Sequence, residues 1–321
     1  MNTEAVTLQQ RLTDPDATVR RLAVMELPYS DEDDTVSLLL PCLADSEALV
    51  RIEAIRGLEG FEDLHVVQSL APMLLDADPS VRKVAGDVLS ELKETASAAP
   101  LLPLLSGGPP EVRALAFHAV RALRSPQAFA PAMAALRDAD TAVRREAVGV
   151  LGYLKDPAAI GDLAEVAAND PDMDVRRIAV GALGYASNVS VLPALTRALS
   201  DRGWMVRDEA AGVIGKLRLA LAIPDLVKAM QDDYWQVRVK AARSLGLLKA
   251  EAGLPSLVDS LTHSISNLRK EAVIALGEIG DTRAIAPLEG ALADADPDVR
   301  KLARLALTAI GLAQKAQGAG A

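Results

Sequence analysis

The chain of 321 residues carries a formal net charge of −10, which argues against a general binder of nucleic-acid phosphates. Hydrophobic residues make up 50% of it and aromatic ones only 3%, so its core must be built of alanine, leucine and valine, which pack closely and offer few large anchors. No stretch approaches the length of a membrane span, and the opening MNTEAVTLQQRL has no basic segment followed by an apolar run, so a soluble, cytoplasmic protein without membrane contact is expected.

Read in chain order, one phrase recurs. A Val-Arg or Leu-Arg pair ends at Arg20, Arg51, Arg82, Arg113, Arg144, Arg176, Arg207, Arg238, Arg269 and Arg300, in steps of 31 residues with a single step of 32. Three residues after each arginine stands alanine, from Ala23 to Ala303, and seven after stands Leu, Ile or Val. Six before it stands aspartate, except at Gly107 and His263. A period of this length is the signature of stacked repeats.

Each phrase resolves into two helices. In VRVKAARSLGLL, Val237, Ala241, Leu245 and Leu248 form one apolar stripe, and the preceding IPDLVKAM repeats the spacing with Leu226, Val227 and Met230. Runs such as DADPDVR supply an N-cap at Asp296 and a proline at the first helical position. No alternating strand pattern competes. A helix pair of this size cannot bury its own stripe, so the pairs must stack on one another. At the two ends, Pro28 stops the first repeat's second helix early, and Arg304 puts a charge where other repeats carry a small or apolar residue.

The period, the two-helix unit and the phrase D-x-x-x-x-VR-x-x-A-x-x-x-LG resemble the HEAT-repeat family, in particular its short-repeat, phycobilisome-lyase-like branch. The resemblance covers residues 1–312 and implies an all-α fold, a single α-solenoid of ten two-helix repeats; the small, polar, glycine-rich run AQKAQGAGA makes 313–321 an expected flexible C-terminal tail. Members of the family include scaffolds, lyase subunits and a metal-dependent hydroxylase, so activity has to be argued apart from fold.

Catalysis finds little support. His65, His118 and His263 fall in three repeats at three different phases, and there is no CxxC, HExxH or nucleophile elbow. The hydroxylase branch carries His-Glu just after the repeat arginine, whereas those places here read Arg145-Glu146, Asp208-Glu209 and Lys270-Glu271. No catalytic, metal or cofactor residue is therefore assigned. Cys42, in the apolar run VSLLLPCL, reads as core packing, and His118 as a surface histidine. A basic residue follows the repeat arginine at Arg21, Lys83, Arg145, Arg177, Lys270 and Lys301; these read as ion-pair partners of the acidic turns, in keeping with the chain's acidity. The repeat arginines themselves read as bonding turn aspartates or carbonyls along the stack.

Binding of a protein partner is the reading the aromatics support. Three before the repeat arginine, at the first turn of the second helix, most repeats place a small or polar residue, but two place Trp204 and Trp235, with Tyr234 beside the latter. Stacking should make the two tryptophans neighbours on one edge. Nine after the arginine, Tyr153 and Tyr185 form a second such pair. Five after it, Gly149, Gly181 and Gly212 follow one another at a phase where other repeats carry side chains, at a cost of about 1 kcal/mol each against alanine. If that phase faces inward, these glycines form a side-chain-free trough between aromatic edges. The expectation is a non-catalytic scaffold whose concave face, centred on repeats five to eight, binds a protein. The alternative implied by the resemblance is a chaperone or lyase-type subunit holding a tetrapyrrole-like cofactor, a metal cluster on a partner, or the acceptor protein.

Overall fold

The fold is seen in a computed structural model that describes residues 7–30, 34–186 and 189–318, with side chains as far as Leu312. It is all-α, and no strand occurs among the described residues. The second helices of the ten repeats are α1 (Ala17–Glu26), α2 (Ala48–Gly57), α3 (Pro79–Ser90), α4 (Pro110–Arg121), α5 (Thr141–Leu154), α6 (Met173–Ala182), α7 (Trp204–Lys216), α8 (Trp235–Leu247), α9 (Ser266–Ile279) and α10 (Pro297–Gly318). The last runs on past Leu312, where the array was expected to end, because Ala, Gln and Lys favour helix. Residues 319–321 of the expected tail lie outside the described residues.

The chain divides into two compact units, Met1–Leu154 and Lys155–Ala321. In the first, α1 to α5 pack each on the next; in the second, α6 to α10 do the same. The seam is legible residue by residue. All ten repeat alanines, from Ala23 to Ala303, are completely buried, as are Val237, Leu245 and Leu226. An alanine at this point lets neighbouring helices approach to backbone contact, so a larger side chain there would have nowhere to go.

The first segments are less regular than the sequence suggests. Leu254–Ser260 is helical, but in repeat four the segment consists only of 3₁₀ turns at Thr95–Ala98 and Leu102–Leu105. Pro100 and Pro103 remove the donors that an α-helix would need, and the Gly-Gly-Pro run behind them leads into α4. Pro28 acts similarly, and α1 passes into a 3₁₀ turn at Leu27–Tyr29.

Helix ends are set by the expected chemistry. Asp296 accepts the Asp298 N–H at 2.8 Å and Asp78 the Ser80 N–H at 2.7 Å, each capping a helix that begins with proline. At the other end, Arg124, Lys155, Arg218 and Lys249 adopt left-handed backbone conformations with φ of 49–56°. These cations terminate helices where glycine is usual, at a steric cost of roughly 1–2 kcal/mol each, and a positive charge there suits the helix dipole. Arg218 adds a bond of 2.9 Å to the Leu247 carbonyl at the end of α8.

Candidate partner-binding surface

The turn before each second helix is held by the repeat arginine. Arg20 donates through Nε and Nη2 to both carboxylate oxygens of Asp45, in the next repeat's turn, at 2.7 and 2.8 Å. Its Nη1 donates to the carbonyls of Asp14 and Pro15 in its own turn. The same two-pronged clip joins Arg51 to Asp76, Arg113 to Asp138, Arg176 to Asp201, Arg207 to Asp232 and Arg269 to Asp294 at 2.6–3.2 Å. One oxygen of each aspartate also accepts the N–H two residues on, as Asp201 does from Gly203 at 2.7 Å. The planar guanidinium fork matches a carboxylate in a way lysine could not. The hydrogen bond from Arg20 holds the Asp45 carboxyl below the ordinary range, and Arg269 does the same for Asp294. For Asp201, burial pushes upward, but the bonds from Arg176 and the Gly203 N–H win and its carboxyl too is depressed.

The aromatic edge is built on this ladder, and its stacked pair joins Trp204 to the residue before Trp235. The ring that stacks on Trp204 is that of Tyr234, with centroids 5.4 Å apart and planes 12° from parallel. The Arg207 guanidinium, already clipped to Asp232, lies 5.7 Å from the other ring partner, Tyr234. Tyr234 precedes α8 as its N-cap residue, so the extended backbone there, not the first helical turn, brings a ring across to repeat seven. Tyr234 remains 46% exposed, while Trp204 and Trp235 are partly buried.

Tyr153, 44% exposed, lies in the first unit under the guanidinium groups of Arg121 and Arg124, at 5.8 and 5.9 Å. Tyr185, in the second unit, donates its hydroxyl to the Asp156 carbonyl at 2.9 Å.

The trough of glycines is not free of side chains. A Cβ on Gly149 would come within 3.0 Å of Arg121 Cδ, one on Gly181 within 3.0 Å of Glu209 Oε1, and one on Gly212 within 3.8 Å of Lys240 Cδ. Long charged side chains of adjacent repeats therefore lie along this phase. At Gly149 and Gly181 glycine makes space for those stems, whereas at Gly212 a Cβ would make only ordinary contact. Glycines eight after the repeat arginine do serve helix packing: a Cβ on Gly215 would stand 2.9 Å from Ser244 Cα, and one on Gly246 2.8 Å from Ala275 Cα.

The charges on the second helices form two kinds of cluster that sequence reasoning did not bring together. In the first unit, Glu146 is 8% exposed and meets His118 Nδ1 and Arg121 at 3.2 Å, with Arg145 at 3.3 Å. His118 thus has a named partner. Burial raises the Glu146 carboxyl, but the hydrogen bond from His118 and the nearby arginines outweigh it and hold it low. In the second unit, burial pushes the carboxyls of Asp208 and Glu271 up, and Lys240 beside the first and Arg243 beside the second only partly offset this. The signal in the sequence was the recurrence of glutamate two after the arginine, at Glu53, Glu146, Glu209 and Glu271.

Five of the six basic residues following the repeat arginine, all but Lys301, find carboxylates, and only Lys270 finds one in an acidic turn. Arg21 bonds Glu53, Lys83 bonds Asp87, Arg145 lies against Glu146, Arg177 meets Asp174, and Lys270 meets Asp296 and Asp298. They are balanced charges, not a free cationic ridge. Cys42 is buried against the Leu38 carbonyl, and burial raises its thiol pKa. Among the described residues no group of His, Cys, Asp and Glu could hold a metal ion, and no helix is long and apolar enough to cross a membrane.

No curated protein matches the chain. Among solved structures, it is similar to an engineered protein (21% identity over 95% of this chain and 98% of that one, TM-score 0.53). It is also similar to YibA of Escherichia coli (20% identity over 93% of this chain and 98% of that one, TM-score 0.55). Kap95p, in a structure that describes its binding to RanGDP, matches at 14% identity over 94% of this chain and 45% of its own length, with a TM-score of 0.55. At such identities the likeness is one of fold. A family model for HEAT repeats matches residues 5–90, 98–180, 162–238 and 223–308; it does not single out the phycobilisome-lyase-like branch. The chain belongs to the HEAT-repeat family.

Proposed function

We propose that the chain is a non-catalytic scaffold, acting in the cytoplasm as a single ten-repeat HEAT domain over residues 1–312, that binds a protein partner with residues of repeats five to eight. The observation that carries this reading is Tyr234: a large ring left 46% exposed, yet stacked on Trp204 and close to the clipped Arg207. Anchors that are ordered before binding lose little entropy on binding, and tyrosine and tryptophan are the side chains that most often dominate interface energies. Trp235, Tyr185, Gly181 and Gly212 of the second unit belong to the same proposal, as do Tyr153 and Gly149 of the first. That HEAT-repeat proteins commonly bind proteins is consistent with this, as is the Kap95p–Ran structure.

Tyr234→Ala is the test. With the native and variant proteins as baits in extract of the native host, the variant should lose the partner that the native protein captures while keeping its helical circular dichroism. Equal capture by both would sink the reading. A visible absorbance band co-purifying with the native protein would instead favour a subunit that holds a cofactor.

A further inference from the structure

The arginine clip fails at two junctions, and the two failures differ. Arg82 has Gly107 where the next repeat's aspartate should stand, and there Glu111, four residues on, reaches back to its Nη2 at 2.7 Å. Arg238 has His263 in that place, and the residue four on is Asn267. His263 does copy half of the aspartate's work, because its Nδ1 accepts the Ile265 N–H at 3.1 Å. A backbone N–H can only donate, so Nδ1 is the acceptor and the ring's remaining group is an Nε2–H donor. It cannot accept from a guanidinium. Arg238 accordingly turns its Nε onto the Asp232 carbonyl and forms no ion pair with a carboxylate among the described residues; the Asp232 carboxylate, already clipped to Arg207, only feels its charge. The helix behind the gap, α9, also starts without a side-chain cap, at Ile265.

We propose that the junction of repeats eight and nine is a receptor for a carboxylate side chain of the protein partner, which completes the clip on Arg238 from outside. The chemistry is fixed by the other junctions: six guanidinium groups in the same setting each hold a carboxylate through two parallel bonds. Trp235, one turn before Arg238 on the same helix face, supplies an apolar neighbour. The segment recognised is thus an acidic residue flanked by apolar ones, since a run of acids would be repelled by a chain of charge −10. The inference rests on the partner-binding reading above and gives it a chemical specificity.

The two tryptophans make the test, because the full-length protein has one indole N–H signal beside the gap and one at repeat seven. Titrating in a capped Leu-Glu-Leu peptide should move the Trp235 signal and leave that of Trp204 nearly still. The capped Leu-Gln-Leu peptide should bind at least tenfold more weakly. His263→Asp should close the clip internally, abolish the response and raise the melting temperature. An equal response to the glutamine peptide, a response that survives in His263→Asp, or an unchanged melting temperature in that variant would overturn the proposal. So would displacement of the glutamate peptide by an equal concentration of inorganic phosphate, which would mark a site for free anions. The melting temperature of His263→Asp is read without any partner, so the gap stands or falls separately from capture through Tyr234.

Discussion

The junctions after Arg82 and after Arg238 lack the same aspartate, yet only the first is repaired. Glycine at position 107 leaves room, and Glu111 in the first turn of α4 fills the need from a side chain that is 54% exposed. Histidine at position 263 keeps the turn's backbone bond while presenting a donor where an acceptor is wanted. The ladder therefore asks two separate things of its aspartate: to accept a backbone N–H within its own turn, and to bind the guanidinium of the repeat before. A residue can satisfy the first and fail the second.

That separation is broken most severely by acid. Asp45, Asp201 and Asp294 have depressed pKa values in the fold, so the stability they contribute is present above the ordinary aspartate value of about 3.9 and is lost as pH falls through the lower folded values. Chemical denaturation as a function of pH should show stability falling steeply below about pH 4, as the clips open together. Stability that stays flat down to pH 2–3, on the same scale of ordinary carboxyl values, would show that the clips contribute nothing.

Next in size is a single new gap. Asp201→His would recreate the junction of repeats eight and nine at that of six and seven, where Arg176 is 3% exposed and the residue in the place of Glu111 is Met205. Leaving that guanidinium buried and unpaired should cost about 3–5 kcal/mol in urea denaturation. Arg238, which is less buried, already tolerates the same arrangement. A loss below about 1 kcal/mol would mean that the fork's own carbonyl bonds suffice.

Smaller effects should follow from exchanging the repair. Glu111→Gln should cost, and Asn267→Glu should gain, about 0.2–1 kcal/mol, because each pair is partly solvated. Opposite signs in the two variants, measured by thermal denaturation at low salt, would confirm that the two junctions differ by this one side chain.

Much of this was legible in the sequence. The period, the buried alanine and the turn aspartate each answer a single steric or hydrogen-bonding demand that every repeat repeats, so pattern alone finds them. Even the two missing aspartates were visible, but not that a neighbour repairs one of them. What pattern does not reach is the path of a long side chain. The stems of Arg121, Glu209 and Lys240 lie along the glycine phase, and nothing in their spacing says so. The choice of Tyr234 over Trp235 as the ring stacked on Trp204 depends on an extended N-cap residue, one step outside the helical periodicity from which the edge was inferred.

The contact proposed between this protein and its partner lies at the rim of repeat eight. It is tested most directly by placing a photo-crosslinking phenylalanine derivative at Tyr234 and, in a second protein, at Tyr29, which is 90% exposed and lies in the first repeat. In extract of the native host, irradiation should give a discrete adduct from position 234 and none from position 29. Adducts of equal yield from both, or from position 29 alone, would contradict it.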